Sequence, residues 1–227
     1  MQCRAVDDPA RPGTAIITLP DGSTTRTDSP EVDARLSSAL GAAVHLDARP
    51  APGATPRHRE APPAGADVLA EIRAVMGREE TEPLPDFSVF PADVLEYEGP
   101  LSAYYDAYPL LIMTTSTMQT LQENLASSVI DIRRFRPSLV IDTGDAPGYP
   151  EFSWQNGTKF TLGGAEVQIT APCPRCVMPT REIAPDVPAD RDILRYIVRE
   201  LDQNLGVYAT VTRGGRFAVG DAFQQVH

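Results

Sequence analysis

Lysine is nearly absent from this chain. Of its 20 basic residues only Lys159 is a lysine, and the other nineteen are arginines. Chemistry that runs through an amine, such as a Schiff base, therefore has one position open to it, expected at a turn that leads into a strand. Histidine is almost as scarce, with His45, His58 and His227 alone. Three cysteines, an odd number with no export signal, argue against a disulfide framework and for reduced thiols. Positive charge is in deficit: 31 acidic residues leave a net charge of -11. That argues against a nucleic-acid surface, which needs dense Lys and Arg, while a local arginine cluster can still hold a small anion. No apolar run approaches the ~20 residues of a membrane span, and Met1–Asp8 has no signal-peptide core. A cytoplasmic protein with no membrane contact is expected. What is present is ordinary for a soluble fold, since 42% hydrophobic residues over 227 positions can bury a core without staples.

Along the chain, Thr14–Arg26 reads as a hairpin turning at Asp21-Gly22. Val32, Leu36 and Leu40 follow on one face of a helix that Gly41 ends, and a short strand is expected at Ala43–Asp47. Residues 49–65 carry five prolines without apolar periodicity and read as a linker. Its Arg57-His58-Arg59 cluster is more simply a solvated charge group than an anion site. A helix is expected over Asp67–Met76, followed by an acidic, proline-broken stretch up to Gly99.

The second half is strand-rich. Pro109–Met113 suits a buried strand, and Thr114 or Thr115 can cap a helix presenting Met118, Leu121 and Leu125. Leu139–Asp142, Lys159–Leu162 and Ala165–Thr170 read as strands, the last two joined at Gly163-Gly164. A helix with Ile193, Leu194, Ile197 and Leu201 on one side precedes a closing hairpin, Gly206–Val211 with Arg216–Val219. The expectation is a strand-dominated α+β fold with a barrel-like sheet and peripheral helices.

Two stretches carry chemistry. Cys173-Pro-Arg-Cys176 follows a predicted strand, but no second cysteine pair or spaced histidine pair completes a zinc site. A thioredoxin-like dithiol would sit at a helix start, which this context lacks. Inert buried thiols and a single thiolate serving a soft metal both stay open, and Arg175 beside Cys176 would favour the thiolate. Upstream, Asp131-Ile-Arg-Arg-Phe-Arg-Pro-Ser138 groups Arg133, Arg134 and Arg136. If this segment is extended, alternation puts Arg134 and Arg136 on one side, where a guanidinium pair could hold a phosphate. The plainer alternative is pairing with some of the many acidic side chains. Trp154, the single tryptophan, reads as a core anchor.

In order and spacing, Arg133-Arg-Phe-Arg-Pro-Ser-Leu-Val-Ile-Asp142, Glu151-x-x-Trp154, Pro172-Cys-Pro-Arg-Cys-Val177, Gly206-Val-Tyr-Ala209 and Val219-Gly-Asp221 resemble a MOSC domain. That is the C-terminal domain of molybdenum cofactor sulfurases, and the resemblance covers roughly residues 100–227. Residues 14–47, with Leu19-Pro-Asp-Gly22 and Asp33-Ala-Arg-Leu-Ser-Ser-Ala-Leu-Gly41, resemble the tail of the β-barrel domain that accompanies MOSC in amidoxime-reducing proteins, so 1–48 would be a remnant of that domain and 49–99 a linker with one helix. The resemblance implies a molybdenum-pterin cofactor with Cys176 as metal ligand and Arg136 at the pterin phosphate. Ser138 stands where the family usually has Asn, and Arg134 and Arg175 would complete the cofactor-binding set. It further implies an oxidoreductase acting on a small, N-hydroxylated molecule, with electrons from a separate donor protein. A sulfur carrier using a Cys176 persulfide, loaded by a sulfur-donor protein, or a degenerate module with unreactive thiols, is the alternative. Relatives also carry a Tyr-Pro-x-Lys-Ser segment holding the cofactor, and this sequence has none, so a shortened N-terminal domain is expected.

Overall fold

A computed structural model describes residues 3–48, 65–90 and 107–226. The Pro-rich stretch with Arg57-His58-Arg59 and the acidic stretch ending at Gly99 lie outside them. Among the described residues, four α-helices accompany nine strands in a three-stranded and a six-stranded sheet, the strand-dominated α+β composition expected from the sequence.

The first sheet is antiparallel, with β1 (Arg4–Asp7), β2 (Ala15–Thr18) and β3 (Thr24–Arg26) in chain order. The Asp21-Gly22 turn joins β2 to β3, and Gly22 takes the positive φ of +83° that the turn requires. Helix α1 (Val32–Leu40) buries Val32 and Leu36 beside Ile17 and Leu19. The strand expected at Ala43–Asp47 does not form. Side chains of α1 satisfy that backbone instead: Ser37 Oγ accepts from the Val44 amide at 2.9 Å and donates to its carbonyl at 3.2 Å, and Asp33 accepts from the Leu46 amide at 2.9 Å. No strand partner is then needed.

Helix α2 (Val68–Met76) is capped by Asp67, whose side chain accepts from the Ala70 amide, and is stopped by left-handed Gly77. The larger sheet takes the order β5-β4-β8-β7-β6-β9 and curls into a half-barrel. Its strands are β4 (Leu110–Thr114), β5 (Leu139–Ile141), β6 (Lys159–Leu162), β7 (Ala165–Pro174), β8 (Asn204–Arg213) and β9 (Phe223–Gln225). Only β4 and β5 pair in parallel, because helix α3 (Thr115–Asn124) crosses between them. Helix α4 (Asp192–Glu200) covers one face, with Ile193 and Ile197 fully buried against Met113, Leu121 and Leu205.

The closing hairpin differs from expectation. After Gly214-Gly215 the chain crosses the β6–β7 turn, where the Gly164 amide donates to the Arg216 carbonyl at 2.9 Å. A Cβ on Gly215 would lie 2.2 Å from the Gly164 carbonyl carbon, so the crossing needs glycine. Residues 216–219 form no strand, and β9 pairs with β6 instead. The β7–β8 register slips at three places, the last between Pro172 and Pro174. Such bulges bend a strand and re-aim its side chains, here as the chain reaches the cysteines.

Candidate functional site in the cysteine cleft

The two motifs meet. A cleft of about 310 Å³ runs between the Arg134–Ser138 stretch and the Cys173–Pro179 stretch, with Tyr108, Leu111 and Tyr208 among its other walls. Tyr108 and Tyr208 lean together with ring centroids 5.3 Å apart, and Phe90 meets Tyr208 edge-on at 6.3 Å. One side of the cleft is therefore aromatic and the other basic.

The cysteines are unequal. Cys173 lies on the inward face of β7 and is 2% exposed, packed with Ala107, Ala171 and Tyr208. Cys176 lies beyond the strand end and is half-buried on the cleft. A strand whose alternate residues 165 to 173 are buried places Cys173 in the core. Three residues later the chain has left the sheet.

The arginines divide more sharply. The segment expected to be extended is a single 3-10 turn, Ile132–Arg134, capped by the Asp131 side chain on the Arg133 amide. The alternation that would have put Arg134 beside Arg136 is absent. Arg134 is 2% exposed and directs its guanidinium inward, to the carbonyls of Val129, Pro179, Arg181 and Pro188 at 2.9, 3.1, 3.1 and 2.6 Å. Burial lowers its pKa, against the pull of Asp190 and Asp131. Arg175, 7% exposed, donates to the carbonyls of Leu205 (2.9 Å) and Phe135 (3.2 Å) and stacks over the Phe135 ring at 5.5 Å. Both border the cleft, but these bonds occupy their guanidiniums: Arg134 ties four loop carbonyls together, and Arg175 ties the Phe135 carbonyl to Leu205 of β8. Arg133 turns to solvent and pairs with Asp131 and Asp186 at 2.8 and 2.7 Å. Those contacts hold both carboxyls below the usual range.

Arg136 is the exception. It is exposed, lines the cleft, and has no side-chain hydrogen bond or ion pair among the described residues. Its backbone has φ of +54°, a left-handed conformation that costs a non-glycine residue about 1–2 kcal/mol. Such strain collects where a side chain must be presented. Ser138, two residues on, accepts from the Leu111 amide at 3.2 Å through Oγ, and its own amide donates to the Leu111 carbonyl at 2.8 Å. The Ser138 hydroxyl hydrogen remains available to the cleft.

Beneath the site, Glu151 is fully buried and accepts from Thr114 (2.8 Å) and from Thr117 at both oxygens (2.7 Å each). It fixes the turn from β4 into α3. Trp154 packs on Phe160 and Phe223 at 4.9 and 5.4 Å, the core anchor expected. Arg78 was not picked out from the sequence, where it sits in an acidic stretch without apolar periodicity. It is 7% exposed and donates to Gln203 Oε1 at 3.0 Å, to the Arg175 carbonyl at 2.9 Å and to the Met76 carbonyl. Burial lowers its pKa, while Glu82 and Cys176 act in the opposite sense.

A family model, the MOSC domain, matches residues 101–224. The chain belongs to the MOSC domain family. Over 138 residues this MOSC protein is 28% identical to mitochondrial amidoxime reducing component 2 of Macaca fascicularis and to that of Homo sapiens, covering 52% of this chain and 37% of each relative. The Bos taurus protein of the same name is 25% identical over 136 residues, 55% of this chain and 39% of the relative. The chain thus spans under two fifths of the curated relatives it matches. No helix among the described residues is long and apolar enough to cross a membrane.

Proposed function

We propose that this MOSC protein binds a molybdenum-pterin cofactor in the cysteine cleft and serves a reductase of N-hydroxylated small molecules. The observation that carries the reading is the pairing, on one cleft, of a half-buried thiol at Cys176 with the exposed guanidinium of Arg136, which has no side-chain partner among the described residues. The donor set fits such a group. Among the described residues no cluster of three or more His, Cys, Asp or Glu could hold a metal ion. One soft sulfur donor beside one cation suits a metal that arrives in its own chelator together with an anionic group. The amidoxime reducing relatives supply the substrate class.

When bound, the cofactor supplies a sulfur-coordinated metal able to change oxidation state by two electrons. Cys176 would give its thiolate to that metal. Arg136 would grip the phosphate through parallel N–H donors, with the Ser138 hydroxyl as a further donor on the same wall. Tyr108, Leu111 and Tyr208 would keep bulk water from one side, which strengthens each polar contact. Cleavage of an N–O bond takes up two electrons and two protons and releases water, so the reading requires a separate electron-donor protein. The three cysteines of this sequence do not make a four-cysteine iron–sulfur site.

The test is metal analysis of protein purified from a molybdate-replete host. Wild type should hold close to one molybdenum per chain, and Cys176→Ala almost none. Wild-type protein without molybdenum would sink the proposal.

A further inference from the structure

The loop bearing Cys176 is held from outside the matched family region. The two peptide groups flanking this residue both bond to the end of α2. The Arg175 carbonyl accepts from Arg78 Nη2 at 2.9 Å, and the Val177 amide donates to the Val75 carbonyl at 3.0 Å. One further bond closes the frame, from the Arg175 amide to the Gln203 carbonyl at 2.9 Å. Gln203 also receives Arg78 Nε on its side-chain oxygen at 3.0 Å, so a single residue holds both the loop and the arginine that holds the loop. It does so with φ of +69°, next to Asp202 at +46°. Two successive non-glycine residues in the left-handed region cost energy that the surrounding contacts must offset. The approach of α2 is equally constrained: a Cβ on Gly77 would lie 2.7 Å from Leu194 Cδ2 and 3.1 Å from Val177 Cβ. Only glycine lets the helix end come this close.

We propose that Arg78 is the positioning residue of the site: with Gln203 and the C-terminal turn of α2 it sets the backbone on both sides of Cys176 and so fixes where the sulfur stands in the cleft. The inference rests on Cys176 being the working thiol and does not depend on which group that thiol serves. It assigns residues 65–90, which precede the family match at 101, a part in the site.

Hydrogen exchange and thiol labelling of the full chain test it without any cofactor. In Arg78→Met the amides of Arg175, Cys176 and Val177 should exchange about tenfold faster, since the frame loses its charged donor. Alkylation of Cys176 should speed up relative to Cys3, an exposed thiol in the same molecule that serves as internal reference. Amides of β4 should keep wild-type protection. Arg78→Lys, which keeps a donor for the Arg175 carbonyl but cannot bridge to Gln203 as well, should fall between the two. It also keeps the test alive if Arg78→Met does not fold. Wild-type exchange at 175–177 in both folded variants would overturn the proposal, and so would equal loss of protection at 175–177 and in β4, which marks general destabilisation. Molybdenum content is read separately: wild type without molybdenum, but with exchange altered locally in the variants, retains this inference and removes the proposed function.

Discussion

The two stretches that line the cleft are built alike. In Arg134–Ser138 the first arginine is 2% exposed and bonded to four carbonyls, while Arg136 two residues on is exposed at the cleft with no side-chain partner among the described residues. In Cys173–Cys176 the first cysteine is sealed in the sheet and the second is half-buried on the cleft. Each stretch therefore uses one residue type twice, once buried against its own surroundings and once on the cleft. A guanidinium or a thiol has no fixed role: a chain that has just left regular structure can direct two near neighbours in opposite directions.

Removing a buried member should have the largest effect on the fold. Arg134→Met orphans four carbonyl acceptors, and since each buried unsatisfied group costs on the order of 1 kcal/mol or more, a loss of about 3–5 kcal/mol is expected in urea unfolding. Cys173→Ala removes one buried sulfur from a packed cluster and should cost about 1–2 kcal/mol. Cys176→Ala should leave the unfolding midpoint within about 0.5 kcal/mol of wild type while abolishing metal retention. Equal destabilisation by the two cysteine variants would end the distinction between them.

Arg136 allows a test in which stability and binding move in opposite directions. Arg136→Gly relieves a left-handed strain of about 1–2 kcal/mol and adds a glycine entropy cost of about 0.5–1 kcal/mol, so a net gain of about 0–1.5 kcal/mol is expected. The same variant should retain about tenfold less molybdenum, because the cation on that wall is gone. The smallest effect belongs to the surface. Asp131 has its carboxyl lowered first by the Arg133 hydrogen bond, so its stabilisation is complete above an unfolded pKa near ~3.9 and is lost as pH falls through the lower folded value. Urea midpoints of wild type and Asp131→Asn should therefore differ slightly above about pH 4 and draw together as the pH falls further below it.

Much of the fold was legible. The apolar runs at Pro109–Met113 and Leu139–Asp142, the stripe through Ile193 and Ile197, and the Asp21-Gly22 turn all state local preferences that tertiary packing did not override. Misreadings came where side chains or distant backbone replaced a strand partner, at Ala43–Asp47 with Ser37 and Asp33, and at Arg216–Val219 with the β6–β7 turn. At the site, the motif order singled out two stretches that the fold brings to one cleft, and it separated Cys176 from Cys173, which differ in burial. It could not say which arginine faces the cleft, because that depends on a 3-10 turn and on carbonyls some forty-five to fifty-four residues away. Arg78 was invisible for the same reason. Its acceptors at Arg175 and Gln203 lie 97 and 125 residues downstream, and nothing local to it marks a binding role.

Strand β8 sits between β4 and β7 in the sheet yet comes next to last along the chain. During synthesis the β4–β5 pair, with Arg136 and Ser138 at its end, and the β6–β7 pair that leads into the cysteines leave the ribosome as two pieces with unpaired edges. They have no strand to share until residues 204–213 emerge. The cleft is thus complete only once β8 has been made, because that strand joins the half bearing Arg136 to the half bearing the cysteines.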